Sequence, residues 1–167
     1  LGDVYKRQIS INPQTMNQET LDLIGRKHTI EQVKKAFLIA RECGMNNINM
    51  DFIVGLPEET PEMVRYSMEE AMKLEPDGIT IHSLAIKRAS RLSMNKQKYT
   101  ELSMENSTEL MNITKEYAYK MGMKPYYLYR QKNMAGNQEN VGYSKEGLEG
   151  LYNILMMGDY QDVWAVG

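Results

Sequence analysis

The chain has 167 residues, of which 42% are hydrophobic and 25% charged, and its formal net charge is -2. This composition is typical of a globular protein, and the slight negative charge argues against nucleic-acid binding, which usually needs a basic excess. The single cysteine, Cys43, excludes an internal disulfide framework and a Cys-X-X-Cys metal site within these residues. No apolar run approaches the roughly 20 residues of a membrane span, and no signal-peptide pattern opens the chain, so we expect a cytoplasmic protein.

The first eight residues show no clear periodicity, and we predict that residues 1–8 are a non-native or disordered leader. Residues 9–11 are typical of the end of a strand. Pro13 predicts a turn at residues 12–15, because its ring fixes φ and biases Asn12 away from a helix. A chain that begins at the end of a strand suggests a fragment of a longer protein.

Four helices are predicted from apolar residues at helical spacing and from signals at the helix ends. Thr29 and Gln32 have the spacing of a capping box. Thr60 before Pro61 is typical of an N-cap followed by proline at the first helical position. Gly44 lies where a left-handed C-terminal cap is expected. The predicted helices cover residues 18–24, 30–43, 61–74 and 100–121.

Apolar strands alternate with these helices. They are predicted at residues 48–54, 78–84 and 124–130, followed by a Gly/Asn-rich loop at 133–150 and a hairpin of 152–157 and 162–166. Apolar strands separated by amphipathic helices predict a parallel sheet covered by helices. No Gly-rich phosphate loop follows a strand, so a Rossmann or P-loop fold is poorly supported, and an arc of a (β/α) barrel fits better.

One carboxylate, Asp51, lies inside the strand predicted at 48–54, just before the turn Gly55-Leu56-Pro57. A buried carboxylate is costly unless it is paired, so Asp51 needs either a structural Arg or Lys or a ligand. Barrel enzymes carry their chemistry at the carboxyl ends of the strands. Gln14, Asp51 and Ala85 are all expected at or near such ends.

An ordered set of segments resembles the radical SAM enzymes of the oxygen-independent coproporphyrinogen III oxidase group. These segments are Ile9-Ser-Ile-Asn-Pro-Gln-Thr-Met-Asn17, Ile24-Gly-Arg-Lys-His28, Asn47-Ile-Asn-Met-Asp-Phe-Ile-Val-Gly-Leu-Pro57 and His82-Ser-Leu-Ala-Ile-Lys-Arg88. Residues 126–137 are similar to the HemZ branch of that group. The resemblance covers nearly everything after Gln8, and its specificity comes from the order and spacing of the segments.

The resemblance implies an α/β fold, the C-terminal part of a radical SAM (β/α)6 partial TIM barrel with a C-terminal β extension. Barrel units are then expected over residues 9–122, and a truncated strand, loop and hairpin over 123–167. In such enzymes a [4Fe-4S] cluster held by a CxxxCxxC motif reduces S-adenosylmethionine (SAM) and releases a 5′-deoxyadenosyl radical. This chain lacks that motif and Cys43 is alone, so we expect no metal ligand here and the cluster ligands upstream.

Four residues match positions at which the family contacts SAM. Gln14 matches a SAM-contacting glutamine, and Arg26 matches an arginine near the SAM carboxylate, which a guanidinium can bind with two parallel hydrogen bonds. Asp51 matches an aspartate at the ribose hydroxyls, and Ala85 a backbone contact to adenine. Each has a structural alternative: Gln14 can cap its turn, and Arg26 can favour a helix dipole. Asp51 can pair with a barrel cation, and Ala85 can serve packing alone.

Basic residues after two predicted strands are candidates for binding the propionates of a porphyrin substrate, with a solvated loop as the alternative. The candidates are Arg88 and Arg130, with Lys87, Arg91 and Lys132 beside them. His28 is expected at the surface before a helix, and His82 as a satisfied core histidine.

The resemblance implies that the parent protein converts propionates of a porphyrinogen substrate to vinyl groups by oxidative decarboxylation, in haem synthesis, with an electron donor as partner. This piece alone is then expected to be inactive. A haem-binding or haem-transfer relative without oxidase activity is the alternative, and an ordinary barrel enzyme without radical chemistry is a third. The sequence does not predict an oligomeric state.

Overall fold

The computed structural model describes residues 8–84, 96–129 and 140–157, which form one five-stranded sheet with the first four helices packed over one of its faces. The elements in chain order are β1 (Ile9–Gln14), α1 (Gln18–Leu23), α2 (Ile30–Glu42), β2 (Ile48–Val54), α3 (Pro61–Leu74), β3 (Gly78–Ser83), α4 (Lys96–Lys120), β4 (Lys124–Tyr129), β5 (Asn140–Ser144) and α5 (Leu151–Met157).

The strands lie in the order β1-β2-β3-β5-β4. β1, β2 and β3 are parallel and are joined by helical crossovers, whereas β5 pairs antiparallel with both β3 and β4. The predicted α/β class with a parallel sheet is therefore confirmed for the first three strands. β4 does not pair with β3, because β5 lies between the two.

The helix ends follow the signals in the sequence. The Thr29 hydroxyl accepts from the Gln32 amide at 3.2 Å, and the Gln32 side chain accepts from the Thr29 amide at 2.9 Å, which completes the predicted capping box. Thr60 caps α3 by accepting from the Met63 amide at 3.3 Å, with Pro61 at the first helical position. Gly44 has φ +82°, the left-handed conformation predicted for it.

Three predicted segments differ from the structure. β1 continues to Gln14 across a register shift, so residues 12–14 are not the predicted turn. The predicted loop at 133–150 contains β5, and residues 152–157, predicted as a strand of a hairpin, lie in helix α5. A short apolar run cannot be assigned to helix or strand by periodicity alone, which explains the error at α5. The second hairpin strand, 162–166, lies outside the described residues.

The sheet has an apolar face and a polar face. In β2 the residues that alternate with Asn49 and Asp51 are all buried in the core beneath the helices, with exposed fractions of 3% or less. They are Ile48, Met50, Phe52 and Val54, and their neighbours Ile79 and Ile81 of β3 are buried in the same core. A period of two in one strand places the intervening residues on the opposite face, so Asn49 and Asp51 lie on the polar face.

Asp77 joins four elements at the edge of the sheet where β2 and β3 begin. Its side chain is buried, and Oδ2 accepts from the Ile48 amide at 2.9 Å and pairs with the Arg41 guanidinium at 2.6 Å. Lys145, which follows β5, lies 3.8 Å from Oδ1 and donates its backbone amide to the Asp77 carbonyl at 2.9 Å. We call these contacts the Asp77 clasp, and they stabilise the edge opposite the candidate site.

Candidate functional site

The polar face of the sheet is built by strand register. Asp51 of β2 lies opposite Thr80 of β3, and Thr80 lies opposite Gly142 of β5, which in turn pairs with Tyr127 of β4. Paired residues on neighbouring strands project to the same face of a sheet. Four strands therefore contribute to one polar surface, although their residues are far apart in the sequence.

Asp51 is half-buried, and its partner is an amide. The Asn49 side-chain Nδ2 donates to Asp51 Oδ1 at 2.6 Å. Among the described residues, no lysine or arginine forms an ion pair with Asp51. The structural alternative of a pairing cation thus finds no support in this part of the chain. A carboxylate has about four acceptor positions on its two oxygens, so one hydrogen bond from Asn49 leaves capacity for a ligand.

His82 lies on the same face as Asp51. It pairs with Ile53, which is two residues after Asp51 in β2. It is half-buried, and burial lowers the pKa of its imidazole while the negative charge of Asp51 acts in the opposite direction. A lowered pKa favours the neutral ring near physiological pH. His82 is therefore a polar-face residue beside Asp51 rather than a fully buried core histidine.

The carboxyl ends of the three parallel strands meet at one edge. Gln14 ends β1 and pairs with Phe52, and the Leu84 amide after β3 donates to the Val54 carbonyl at 3.0 Å. Gln14 has φ +70°, a strained conformation for a residue other than glycine, and such strain is found at functional sites. The prediction that Gln14 and Asp51 share an edge agrees with this arrangement.

The chain after Gln14 is held against α3 by a buried polar cluster. The Ser67 hydroxyl lies 3.2 Å from the Thr15 hydroxyl and accepts from the Met16 amide at 3.0 Å and from Asn17 Nδ2 at 2.9 Å. Buried polar groups that are fully paired in this way rigidify their surroundings. The cluster fixes the backbone that carries Gln14.

Arg26 contacts Gln14 from the loop after α1. Its Nη2 lies 3.5 Å from Gln14 Oε1, at the outer limit of a hydrogen bond, and the contact is exposed to solvent. Arg26 also donates its backbone amide to the Leu21 carbonyl at 2.9 Å, which closes the end of α1. Two of the predicted SAM ligands are thus brought together, with Arg26 free to reorient in solvent.

The turn after β2 is held by Glu59. Its Oε2 accepts from the Gly55 amide at 2.9 Å and from the Leu56 amide at 3.3 Å. Gly55 has φ +80°, which favours glycine. Burial raises the pKa of the Glu59 carboxyl to about 7, against the opposite effect of the two amide donors.

This raised pKa predicts a pH-dependent stability. The folded state binds the Glu59 proton more tightly than the unfolded state, so the associated stabilisation is complete below the ordinary pKa of 4.5 and is lost as the pH rises to about 7. Glutamine keeps a side-chain oxygen that can accept from the Gly55 and Leu56 amides, but it carries no charge. We expect Glu59→Gln to gain about 1–3 kcal/mol in unfolding free energy relative to the parent between pH 5 and pH 8.

Urea unfolding of both forms at the two pH values measures this difference. Glu58→Gln is the matched control, because Glu58 is the exposed neighbour in the same turn. Parallel pH profiles for the parent and Glu59→Gln would contradict a raised pKa.

Several predicted site residues lie outside the described part of the chain. They are Ala85, Arg88 and Arg130, together with Lys87, Arg91 and Lys132. Their predicted roles stay predictions. His28, expected at the surface, is half-buried and its Nε2 lies 3.2 Å from the Pro13 carbonyl, next to the end of β1.

Asn49, Thr80 and Tyr127 were missed as members of the site. The available signal was the alternation of β2, in which Asn49 and Asp51 are two residues apart between apolar neighbours. That alternation predicts one polar face. No sequence signal connects Thr80 or Tyr127 to Asp51, because their proximity depends on the strand order.

The described residues contain no group of three or more His, Cys, Asp or Glu side chains that could hold a metal ion. Cys43 is exposed at the C-terminal cap of α2, which precedes β2 and therefore lies at the edge opposite Gln14. No helix in this part of the structure has the length and apolar character needed to cross a membrane.

Comparisons with known proteins agree with this architecture. The family model of the Radical SAM superfamily matches residues 1–71. The oxygen-independent coproporphyrinogen-III oxidase-like protein HemZ of Bacillus subtilis is 46% identical over 160 residues, which cover 96% of this chain and 32% of that protein. The heme chaperone HemW of Lactococcus lactis is 28% identical over 167 residues, 100% of this chain and 41% of that protein.

The solved structure of coproporphyrinogen III oxidase (HemN) from Escherichia coli matches with a TM-score of 0.66 and 17% identity, over 91% of this chain and 32% of that one. The chain thus shares the fold of that structure, and the predicted fold class is confirmed. The chain is similar to the radical SAM superfamily over residues 1–71 and to the coproporphyrinogen-III oxidase-like protein HemZ over most of its length. It spans between 32% and 41% of the length of HemZ and HemW.

Proposed function

We propose that this chain is the later part of the barrel of a radical SAM oxidoreductase of the coproporphyrinogen III oxidase type, and that its carboxyl edge binds SAM. The observation that carries the proposal is Asp51. It is a half-buried carboxylate on the polar face, held by an amide rather than by a cation of the described residues. A carboxylate held in this way is suited to accept hydrogen bonds from the uncharged hydroxyl groups of a ligand.

The side chains at this edge match the groups of SAM in kind. The Asp51 carboxylate suits the two ribose hydroxyls, which are donors. Gln14 and Arg26, which contact each other at 3.5 Å, offer an amide oxygen for the SAM ammonium and a guanidinium for its carboxylate. Ala85, the residue after Leu84 in the sequence, lies outside the described residues and remains the candidate for a backbone contact to adenine.

The residues of this chain do not fit a [4Fe-4S] cluster. Such a cluster needs several thiolate ligands, and Cys43 is the one cysteine, at the edge opposite Gln14. The proposal therefore assigns the cluster ligands to a CxxxCxxC segment outside these residues. A cluster held there would supply the electron for SAM cleavage, and the proposed role of this chain is to bind and orient SAM.

The proposed reaction is the oxidative decarboxylation of porphyrinogen propionates to vinyl groups, in the cytoplasm, with an external electron donor. Its support is the 46% identity to the HemZ protein, which is named as coproporphyrinogen-III oxidase-like. Arg88 and Arg130 are the candidates for the propionates, since guanidinium groups bind carboxylates in a bidentate geometry.

The test uses the full-length protein that carries this sequence, reconstituted with iron and sulfide. With SAM and dithionite it is expected to release 5′-deoxyadenosine, and with coproporphyrinogen III added it is expected to release CO2 and form vinyl groups. An absence of 5′-deoxyadenosine from a sample with a spectroscopically intact cluster would overturn the proposal.

A second candidate is a haem-binding role without oxidase activity. Its support is the similarity to the heme chaperone HemW of Lactococcus lactis along the whole chain. Titration of the same full-length protein with haem and with coproporphyrinogen III distinguishes the two. Tight haem binding without decarboxylation favours the second candidate, and turnover of coproporphyrinogen III favours the first.

A further inference from the structure

The Asp51 carboxylate is oriented by a chain of hydrogen bonds that joins two neighbouring strands. We propose that Asn49 is a positioning residue for SAM binding, and that Thr80 holds its amide while Nδ2 is presented to Asp51. The inference rests on the proposed function, because it assumes that Asp51 contacts the ribose of SAM. We call Thr80, Asn49 and Asp51 the Asp51 relay.

Asn49 is buried, with 4% of its surface exposed, and it uses both ends of its amide. Nδ2 donates to Asp51 Oδ1 at 2.6 Å and to the Ser10 hydroxyl at 3.2 Å. Asn49 and Asp51 are two residues apart in β2, so their side chains project from the same face. The Asn49 amide can therefore contact the Asp51 carboxylate while the backbone of β2 keeps its regular strand conformation.

Asp51 determines the orientation of the Asn49 amide. Its carboxylate only accepts hydrogen bonds, so a flipped amide would place Oδ1 against it and replace an attractive contact with a repulsive one. In the favoured orientation the Thr80 hydroxyl donates to Asn49 Oδ1 at 3.3 Å. Thr80 thus holds the amide from its other end.

Tyr127 lies beside the relay on the same face of the sheet. It pairs with Gly142, which in turn pairs with Thr80, and burial raises the pKa of the Tyr127 phenol.

Two glycines leave room for the side chains of Asn49 and Tyr127. A Cβ at Gly142 would lie 1.9 Å from Cε1 of Tyr127, and a Cβ at Gly78 would lie 3.2 Å from Asn49 Oδ1. Any other residue at position 142 would displace the Tyr127 ring. The neighbouring strands are therefore shaped around both Tyr127 and Asn49.

A fixed carboxylate binds a diol better than a mobile one, because less side-chain freedom is lost on binding. The relay thus acts on SAM through Asp51 and makes no contact of its own with the ligand.

The test measures the dissociation constant of SAM by equilibrium dialysis on the full-length reconstituted protein. Thr80→Val removes the hydroxyl at nearly constant shape, and Thr80→Ser, which retains it, is the matched control. We expect SAM binding to weaken about 5- to 10-fold in Thr80→Val, as for the loss of one hydrogen bond, and less than about 3-fold in Thr80→Ser. Asn49→Asp, which places a second carboxylate beside Asp51, is expected to weaken binding further.

A double-mutant cycle separates positioning from a general loss of structure. Because the relay acts through Asp51, the pair Asp51→Asn and Thr80→Val is expected to bind SAM no more weakly than Asp51→Asn alone. A SAM analogue without the ribose hydroxyls is expected to bind the parent and Thr80→Val equally. Asn49→Asp, which keeps the shape of the side chain, is the second variant if Thr80→Val does not fold.

The outcomes separate the two proposals. Unchanged SAM binding in Asp51→Asn would reject the ribose site itself. Weaker binding in Asp51→Asn, with unchanged binding in Thr80→Val and Asn49→Asp, would reject the relay alone. Additive losses in the double mutant would also reject it.

Discussion

Asp51→Asn is expected to weaken SAM binding by the full-length protein about 10- to 100-fold, while the unfolding temperature changes by less than about 2 °C. Hydrogen bonds to a charged acceptor contribute about 1.5–3 kcal/mol, more than neutral ones. Asparagine has the same shape and retains one oxygen to accept from Asn49 Nδ2, which lies 2.6 Å from Oδ1 in the parent. The loss therefore falls on the ligand and not on the fold.

Equilibrium dialysis with SAM and thermal unfolding of the same samples give the two readouts. Glu146→Gln is a suitable control, since that exposed carboxylate follows β5 at the opposite edge and pairs only loosely with Lys124 at 3.5 Å. A drop in the unfolding temperature with unchanged SAM affinity would make Asp51 a structural residue.

Asp77→Ala is expected to destabilise the chain by about 3 kcal/mol, the largest effect on stability that we anticipate. The substitution leaves the buried Ile48 amide without its acceptor and the Arg41 guanidinium without its carboxylate. Both groups left without Asp77 carry a desolvation cost, because the Asp77 side chain is buried at the start of two strands. The strands that carry Asp51 and Thr80 then lose their common anchor.

The urea midpoint of the 167-residue chain, followed by circular dichroism, measures this effect. Lys145→Ala is the control, since Lys145 is the more distant and more exposed partner at 3.8 Å, and it is expected to cost less than about 1 kcal/mol. Equal midpoints for Asp77→Ala and Lys145→Ala would contradict a stabilising Asp77 clasp.

The helices were predictable because their signals are local. The capping box of Thr29 and Gln32, the Thr60 cap before Pro61 and the left-handed Gly44 depend on residues within one or two turns. Each of these signals gives the correct helix end. The family could also be predicted, since its segments keep their order and spacing along the chain.

The strands that bring distant parts of the chain together were less predictable. β5, with the sequence Asn-Val-Gly-Tyr-Ser, contains few residues that favour strands, yet it is buried between β3 and β4. Its conformation depends on two neighbouring ladders and not on its own propensity. For the same reason, Gly142 is understood only beside the Tyr127 ring.

The helix ends, the polar position of Asp51 inside an apolar strand and the resemblance to the radical SAM enzymes could be predicted from residues that are close together or in a fixed order along the chain. What Asp51 contacts depends on the fold of the whole sheet. Its partner Asn49 is two residues away, but the Thr80 hydroxyl that donates to Asn49 comes from the next strand, 31 residues on. Strand order and register are set by the packing of the whole sheet, and for that reason the Asp51 relay could not be predicted from local patterns.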